Sequence, residues 1–133
     1  MRSYDPKDVN VIVGGVALTG FAEGSFVSVE RMEDTFTEYV GAQGDVAMSE
    51  TSNETGEITV TLESTSPSVA YLNDLATRKG KNAIIPASVV DLNDNKVTAG
   101  GTECRVRKPA TYEASNEITE REFVIFVSKL EFN

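Results

Sequence analysis

The chain has 133 residues, 40% of them hydrophobic, and carries 12 Lys and Arg against 21 Asp and Glu for a formal charge of −9. That length supports one hydrophobic core and so a single domain, 1–133, and the acidic balance argues against a surface that grips nucleic-acid phosphates by counterion release. With no histidine the usual general base and the familiar Ser or Cys triads are excluded, and a lone cysteine, Cys104, excludes an intramolecular disulfide.

The N-terminal decapeptide MRSYDPKDVN has no apolar signal region, and the most apolar run, residues 11–18 (VIVGGVAL), is far shorter than the roughly 20 residues of a membrane span. A protein that stays soluble in the cytosol where it is made, without a membrane anchor, is expected. Residues 9–13 (VNVIV) read as a first strand, and Gly14-Gly15 as a bulge or close backbone approach, with residues 16–18 continuing the strand. Residues 26–30 (FVSVE) and 36–40 (FTEYV) are the next two strand candidates. A turn at 41–45 (GAQGD) follows, since two glycines and an Asp supply the backbone angles that other residues resist.

Residues 46–50 complete a hairpin, and 51–56 form a polar loop. Between 32 and 55 the sequence is acidic and poor in core residues, so it cannot order itself through its own burial. A long projecting hairpin at about 32–55, ordered by a partner, is expected.

Residues 57–63 (EITVTLE) then alternate strictly, with Ile58, Val60 and Leu62 inward and Glu57, Thr59, Thr61 and Glu63 outward. At Ser66-Pro67 the period changes. Ser66 suits an N-cap and Pro67 the first helical turn, while Val69, Leu72, Leu75 and Ala76 share one face and Gly80 can end the helix.

After the helix, residues 83–92, 96–99 and 103–108 read as strands, with a turn at Asn93-Asp94-Asn95 and a glycine pair at 100–101. Cys104, alternating with charged neighbours, reads as a small buried thiol. Residues 122–132 close the chain, with Phe123, Ile125 and Val127 on one face and Val124 and Phe126 on the other, which implies burial on both sides. The sum is a mainly β domain, an antiparallel β-sandwich or barrel with one short flanking α-helix.

The acids are unevenly placed. From Glu23 to Glu63 ten acids (Glu23, Glu30, Glu33, Asp34, Glu38, Asp45, Glu50, Glu54, Glu57 and Glu63) face one base, Arg31, and the remainder of the chain is balanced. Either a solvated acidic face or a surface that must not adhere to a polyanion accounts for this. Residues 91–95 (DLNDN) open like a calcium loop, but Lys96 stands where that loop needs Gly and Thr102 where it needs the bidentate Glu; a β-turn explains them. No metal, cofactor or catalytic residue is expected.

Three ordered stretches carry a resemblance: VNVIVGGVALTG at 9–20, LESTSPSVAYL at 62–72 and SNEITEREF at 115–123. The chain resembles the tail-tube protein of contractile-tailed bacteriophages, the phage structural protein family. The resemblance implies a non-enzymatic homo-oligomer in which hexameric rings stack into a hollow tube in the virion. The tube would lie inside a tail sheath protein, hold a tape-measure protein, and pass DNA without specific binding.

It implies that Glu57, Thr59, Thr61 and Glu63 line the lumen, although the alternation alone is equally met by bulk solvent. Ring stacking falls to the hairpin, through Asp34, Phe36, Glu38, Tyr39, Asp45, Met48, Glu50, Asn53 and Glu54. Further intersubunit contacts fall to Tyr4 and Asp5 of the N-terminal arm and to Phe126 and Phe132. A contractile bacteriocin or related injection machine would use the same subunit. A monomeric β-sandwich ligand-binding module is the alternative of another class, and an enzyme using paired carboxylates is a third.

Overall fold

The computed structural model describes residues 9–22, 27–91, 97–111 and 119–132. Tyr4, Asp5 and residues 92–96, which include the turn at 93–95 and Lys96 of the calcium-like stretch, lie outside them.

The first strand, β1 (Val9–Val13), buries Val9, Val11 and Val13 and shows Asn10 and Ile12 outward. The glycine pair after it does more than bulge. Gly14 and Gly15 sit at φ 60° and 83°, the positive angles of a tight two-residue hairpin turn, so the chain reverses and β2 (Val16–Ala17) pairs back on β1, with Val13 opposite Val16. Residues 16–18 therefore do not prolong the first strand. A Cβ on Gly14 would stand 2.6 Å from the Tyr71 hydroxyl, which donates to the Val13 carbonyl at 2.8 Å.

Strand β3 (Val27–Arg31) runs antiparallel to β6 (Gly56–Glu63), and the chain between them forms a separate two-stranded sheet of β4 (Phe36–Val40) and β5 (Val46–Glu50). The helix α1 (Pro67–Thr77) begins where its sequence signals place it. The Ser66 hydroxyl accepts from the Ser68 amide at 3.1 Å and donates to the Thr19 carbonyl, while Ser68 Oγ accepts from the Thr19 amide at 3.0 Å. Cap and loop hold each other. Leu72 and Leu75 are fully buried, with Val69 and Ala76 half-buried beside them. The helix stops at Thr77 because Arg78 is already extended, and Gly80, at φ 68°, opens a turn of 3-10 helix, Gly80–Ala83, instead of ending α1.

Strand β7 (Ile85–Asp91) pairs with β1 and with β8 (Val97–Val106). The sequence suggested two strands interrupted at Gly100-Gly101, yet β8 passes straight through both glycines. Packing explains it. A Cβ on Gly101 would lie 2.6 Å from the Lys129 carbonyl oxygen, and one on Gly100 would lie 2.7 Å from Ser88 Cα, so the pair admits two close backbones and a register shift against β7. The expected final strand is likewise two: β9 (Glu120–Val127), then a turn at Ser128-Lys129, then β10 (Glu131–Phe132) against β8.

The main sheet follows the order β2-β1-β7-β8-β9-β6-β3, antiparallel throughout, with β10 added on β8. Its inward side chains and the apolar face of α1 make one core, in which Phe123, Ile58, Leu62, Leu72, Ile125 and Leu130 are the largest fully buried side chains along with Leu75. The fold is mainly β with one α-helix.

Candidate assembly surfaces

Strand β6 sets the first surface. Ile58, Val60 and Leu62 are 0% exposed, and the residues between them, Glu57, Thr59, Thr61 and Glu63, are half-buried on the opposite face. Pairing register decides what surrounds these four. On one side Ser28 and Glu30 of β3 stand opposite Thr59 and Glu57. On the other, Phe126, Val124, Glu122 and Glu120 of β9 stand opposite Glu57, Thr59, Thr61 and Glu63 in turn. Arg105 of β8 is opposite Phe126, and the Arg107 amide donates to the Val124 carbonyl at 3.0 Å, which extends the same face by one more strand.

The four residues thus do not share one electrostatic setting. Glu57 accepts from Arg107 at 2.9 Å, and that guanidinium stacks 5.1 Å from the centre of the Phe126 ring. The pair is solvent-exposed and contributes little stability, but it neutralises the Glu57 end of the face. Glu63 stands directly opposite Glu120, and Glu30 opposite Glu57; like charges in register across a sheet are destabilising. Neither cost serves the folded monomer. Arg105, Arg107, Glu120 and Glu122 were not recognised from sequence as parts of this face, although the alternation in EREFVIFV already placed Glu120 and Glu122 on the side away from Phe123.

Strands β2 and β3 are the two ends of the sheet path, so each presents one unpaired edge among the described residues. Phe21 and Ala22 cover the far half of β6, through a bridge at Leu62 and a hydrogen bond donated by the Ala22 amide to the Thr61 carbonyl at 3.0 Å, and leave the outer edge of β3 open among the described residues. Backbone donors and acceptors on such an edge accept another strand readily.

The hairpin is the second surface. Every residue of β4 and β5 is exposed, including Tyr39 at 72% and Met48 at 70%. Its register places Phe36, Glu38, Val40, Val46, Met48 and Glu50 on one face and Thr37, Tyr39, Ala47 and Ser49 on the other. Its tip is tied by Gly41 N to Asp45 O at 2.7 Å and by Gly44 at φ 88°. Its root is bonded to the body by Met32 N to Thr55 O, Leu130 N to Glu54 O and Arg31 Nη2 to Leu130 O.

Asn53 and Glu54 belong to this root. Asn53 Oδ1 accepts from both the amide and the hydroxyl of Thr55, at 3.0 and 2.7 Å, and Glu54 lies 3.8 Å from Lys129. Asp34, Phe36, Glu38, Tyr39, Asp45, Met48 and Glu50 sit on the projecting part. A lone two-stranded hairpin is marginal in water.

Of the other expected contact residues, Phe126 is half-buried under Arg107 and Phe132 is 47% exposed in β10. Ile12, Val16 and Ile84, at 36%, 43% and 50%, add exposed apolar surface that the sequence reading passed over.

Among the described residues no three His, Cys, Asp or Glu side chains are grouped to hold a metal ion, and no helix is long and apolar enough to cross a membrane. Burial raises the Cys104 thiol above its ordinary range, opposed by bonds to the Ala87 and Gly101 backbones, so it stays protonated at neutral pH. Among the described residues, open grooves include one of about 370 Å³ beside Ile12, Ser88 and Gly100 and one of about 380 Å³ beside Arg107, Ala110 and Val124.

Comparison with known proteins separates family from fold. A family model described as the bacteriophage PhiTE tail tube protein matches residues 3–123. Structural protein ORF10 of Pseudomonas phage KPP10 is 42% identical over 81 residues, covering 56% of this chain and 44% of that protein. The match therefore spans less than half the length of that curated relative.

Among solved structures, a chain from the anti-feeding prophage cap superposes with a TM-score of 0.62 at 13% identity, over 100% of this chain and 92% of that one. A chain from the PVC sheath/tube terminator of an extracellular contractile injection system gives 0.61 at 13%, over 100% and 98%. One from the PVC sheath-tube complex gives 0.60 at 14%, over 98% and 91%. At such identities the likeness is one of fold.

Proposed function

The chain belongs to the bacteriophage PhiTE tail tube protein family, structural proteins and not enzymes, and from that premise we propose how its surfaces build a tube. Six copies close into a ring by joining the open edge of β3 to a neighbour, which removes the exposed edges that invite aggregation. The outward face of β3, β6, β9 and β8 then lines a bore. Rings stack through the 32–55 hairpin into a hollow tube within a contractile sheath, around a tape-measure protein, and the tube conducts DNA at ejection. The protein is accordingly a component of the virion, made in the cytoplasm of the bacterial host.

The observation that carries this reading is the hairpin: ten strand residues, all exposed, in a segment with no core of its own. A monomer gains nothing from it. The like-charge pairing of Glu63 with Glu120 also finds a purpose here. Acids on the wall repel DNA phosphates within a Debye length of about 8–10 Å, so the strand slides without adhering. The Thr59 and Thr61 hydroxyls add polarity without positive charge.

Negative-stain electron microscopy of the purified protein tests the proposal directly. Rings or tubes are expected, and a strictly monomeric protein at high concentration overturns it. A second reading, the tube of an injection machine that carries no DNA, is favoured by the fold likeness to the anti-feeding prophage and PVC chains. Particles that protect DNA from nuclease exclude it.

A further inference from the structure

Most of the hairpin's acids have no basic counterpart among the described residues of their own subunit. Residues 32–55 contain six acids and no base. Glu33 accepts from Thr51 Oγ1 and Glu54 neighbours Lys129, but Asp34, Glu38, Asp45 and Glu50 have no basic partner among the described residues. Of the bases at the root, Arg31 donates to the Leu130 carbonyl, Arg107 is paired with Glu57, and Lys129 lies between Glu54 and Glu131.

A complementary set of unmatched charges lies elsewhere. Two short segments, 78–81 and 105–108, hold six of the chain's 12 Lys and Arg and no acid. The fold brings them side by side. Arg105 Nη2 donates to the Arg78 carbonyl at 3.4 Å, and the Ala110 amide donates to Asn73 Oδ1 at 3.3 Å, so the end of β8 runs along the end of α1. Arg78 is held by Asp74 at 2.8 Å, whereas Lys79, Lys81, Arg105 and Lys108 are exposed and have no carboxylate partner among the described residues. Four unmatched bases therefore form a ledge, against four unmatched acids on the hairpin.

Direction completes the case. The hairpin leaves β6 at Gly56, whereas β8 runs from Arg105, beside Phe126 and Glu57, to Arg107, beside Val124 and Thr59, and onward toward the Glu63 end. The hairpin thus projects one way from the Gly56 level, whereas the ledge begins beside that level at Arg105 and runs the other way, an offset that a head-to-tail contact between identical copies can use. Each five-residue hairpin strand reaches about 17 Å at the usual rise, enough to leave its own subunit.

We propose that the basic ledge of Lys79, Lys81, Arg105 and Lys108 is the receptor for the acidic hairpin of a second copy of this chain. Glu38 and Glu50, which share a hairpin face with Phe36, Val40, Val46 and Met48, meet the ledge cations. The aliphatic stems of the lysines and arginine cover the apolar residues between them. The inference rests on the stacked-ring reading above and names the surface on which stacking depends.

Charge exchange tests it. Wild-type protein, K79E/K81E, E38K/E50K and the chain carrying all four changes are compared by sedimentation and electron microscopy, with circular dichroism as the fold control. Each pair alone is expected to leave rings intact and cut stacked material by about tenfold or more, since like-charge juxtaposition is strongly unfavourable, and the four-fold chain to recover it. Rising salt should shorten wild-type tubes. Tubes that persist in K79E/K81E, or a folded four-fold chain that fails to recover, overturn the ledge while leaving the tube reading intact. Wild-type protein that makes no rings overturns the tube reading beneath it. Should a reversal fail to fold, K79Q/K81Q and E38Q/E50Q decide by the same tube-length measurement.

Discussion

Strand β6 and the β4–β5 hairpin are neighbours in sequence, lie in the same acid-rich third of the chain and are built from the same strand-forming residue types. Yet β6 buries every second residue and the hairpin buries none. The difference is what each can lean on. Strand β6 is flanked by β9 and β3 and covered by the core, so alternation turns into burial. The hairpin extends past the last body contacts at Thr55 and Glu54 and meets no second layer. Strand geometry is thus inherited from local sequence, whereas burial depends on where the neighbours end. A subunit that builds a layer it cannot cover is incomplete alone.

The contrast breaks most visibly if the hairpin is excised. Joining residue 34 to residue 52 through a short Gly-Ser link should abolish stacking and leave the circular dichroism of the body unchanged, because the Thr51 amide already meets the Thr35 carbonyl at 2.9 Å. Loss of the fold would show that the hairpin supports the core. Next in size, Phe123→Ala should lower the unfolding free energy by about 3–5 kcal/mol in urea titration, through lost burial and the cavity left behind, while Tyr39→Ala stays within about 0.5 kcal/mol. Comparable effects at the two sites would erase the distinction.

Removing the helix cap by Ser66→Ala should cost about 1–2 kcal/mol, since its hydroxyl serves both the Ser68 amide and the Thr19 carbonyl. A smaller change sharpens the account of the outward face of β6. Glu120→Gln should raise stability by about 0.2–1 kcal/mol at low salt by relieving repulsion with Glu63. The same change should slow DNA release if that face lines a bore. A destabilised variant would mean that the Glu120 carboxylate has a favourable role in the monomer.

Much of the fold was legible. The alternation at 57–63, the Ser66-Pro67 start of the helix and the acidic hairpin follow from periods and caps that act over a few residues. The same locality explains the errors. Gly14-Gly15 suggests a bulge or a close backbone approach, although two glycines between apolar runs are also the signature of the tight reversal that forms. Gly100-Gly101 separates two expected strands in the sequence; in the structure it admits Lys129 and Ser88, partners that are distant or across a sheet, within one strand. Arg107 was invisible as the partner of Glu57, since fifty residues separate them.

By itself, then, the sequence determined where most strand-forming stretches lie but not how they join or divide, which side of β6 is apolar, where the helix begins and that the acids concentrate in one third of the chain. Those properties depend on side-chain type at spacings of two to four residues. Only the tertiary structure decided that β9 lies between β6 and β8, that Glu63 faces Glu120, that the hairpin stands clear of any core and that segments 78–81 and 105–108 become one basic ledge. Each of these depends on register and packing between strands far apart in the chain, where the free energy resides in the shared core and local pattern is silent.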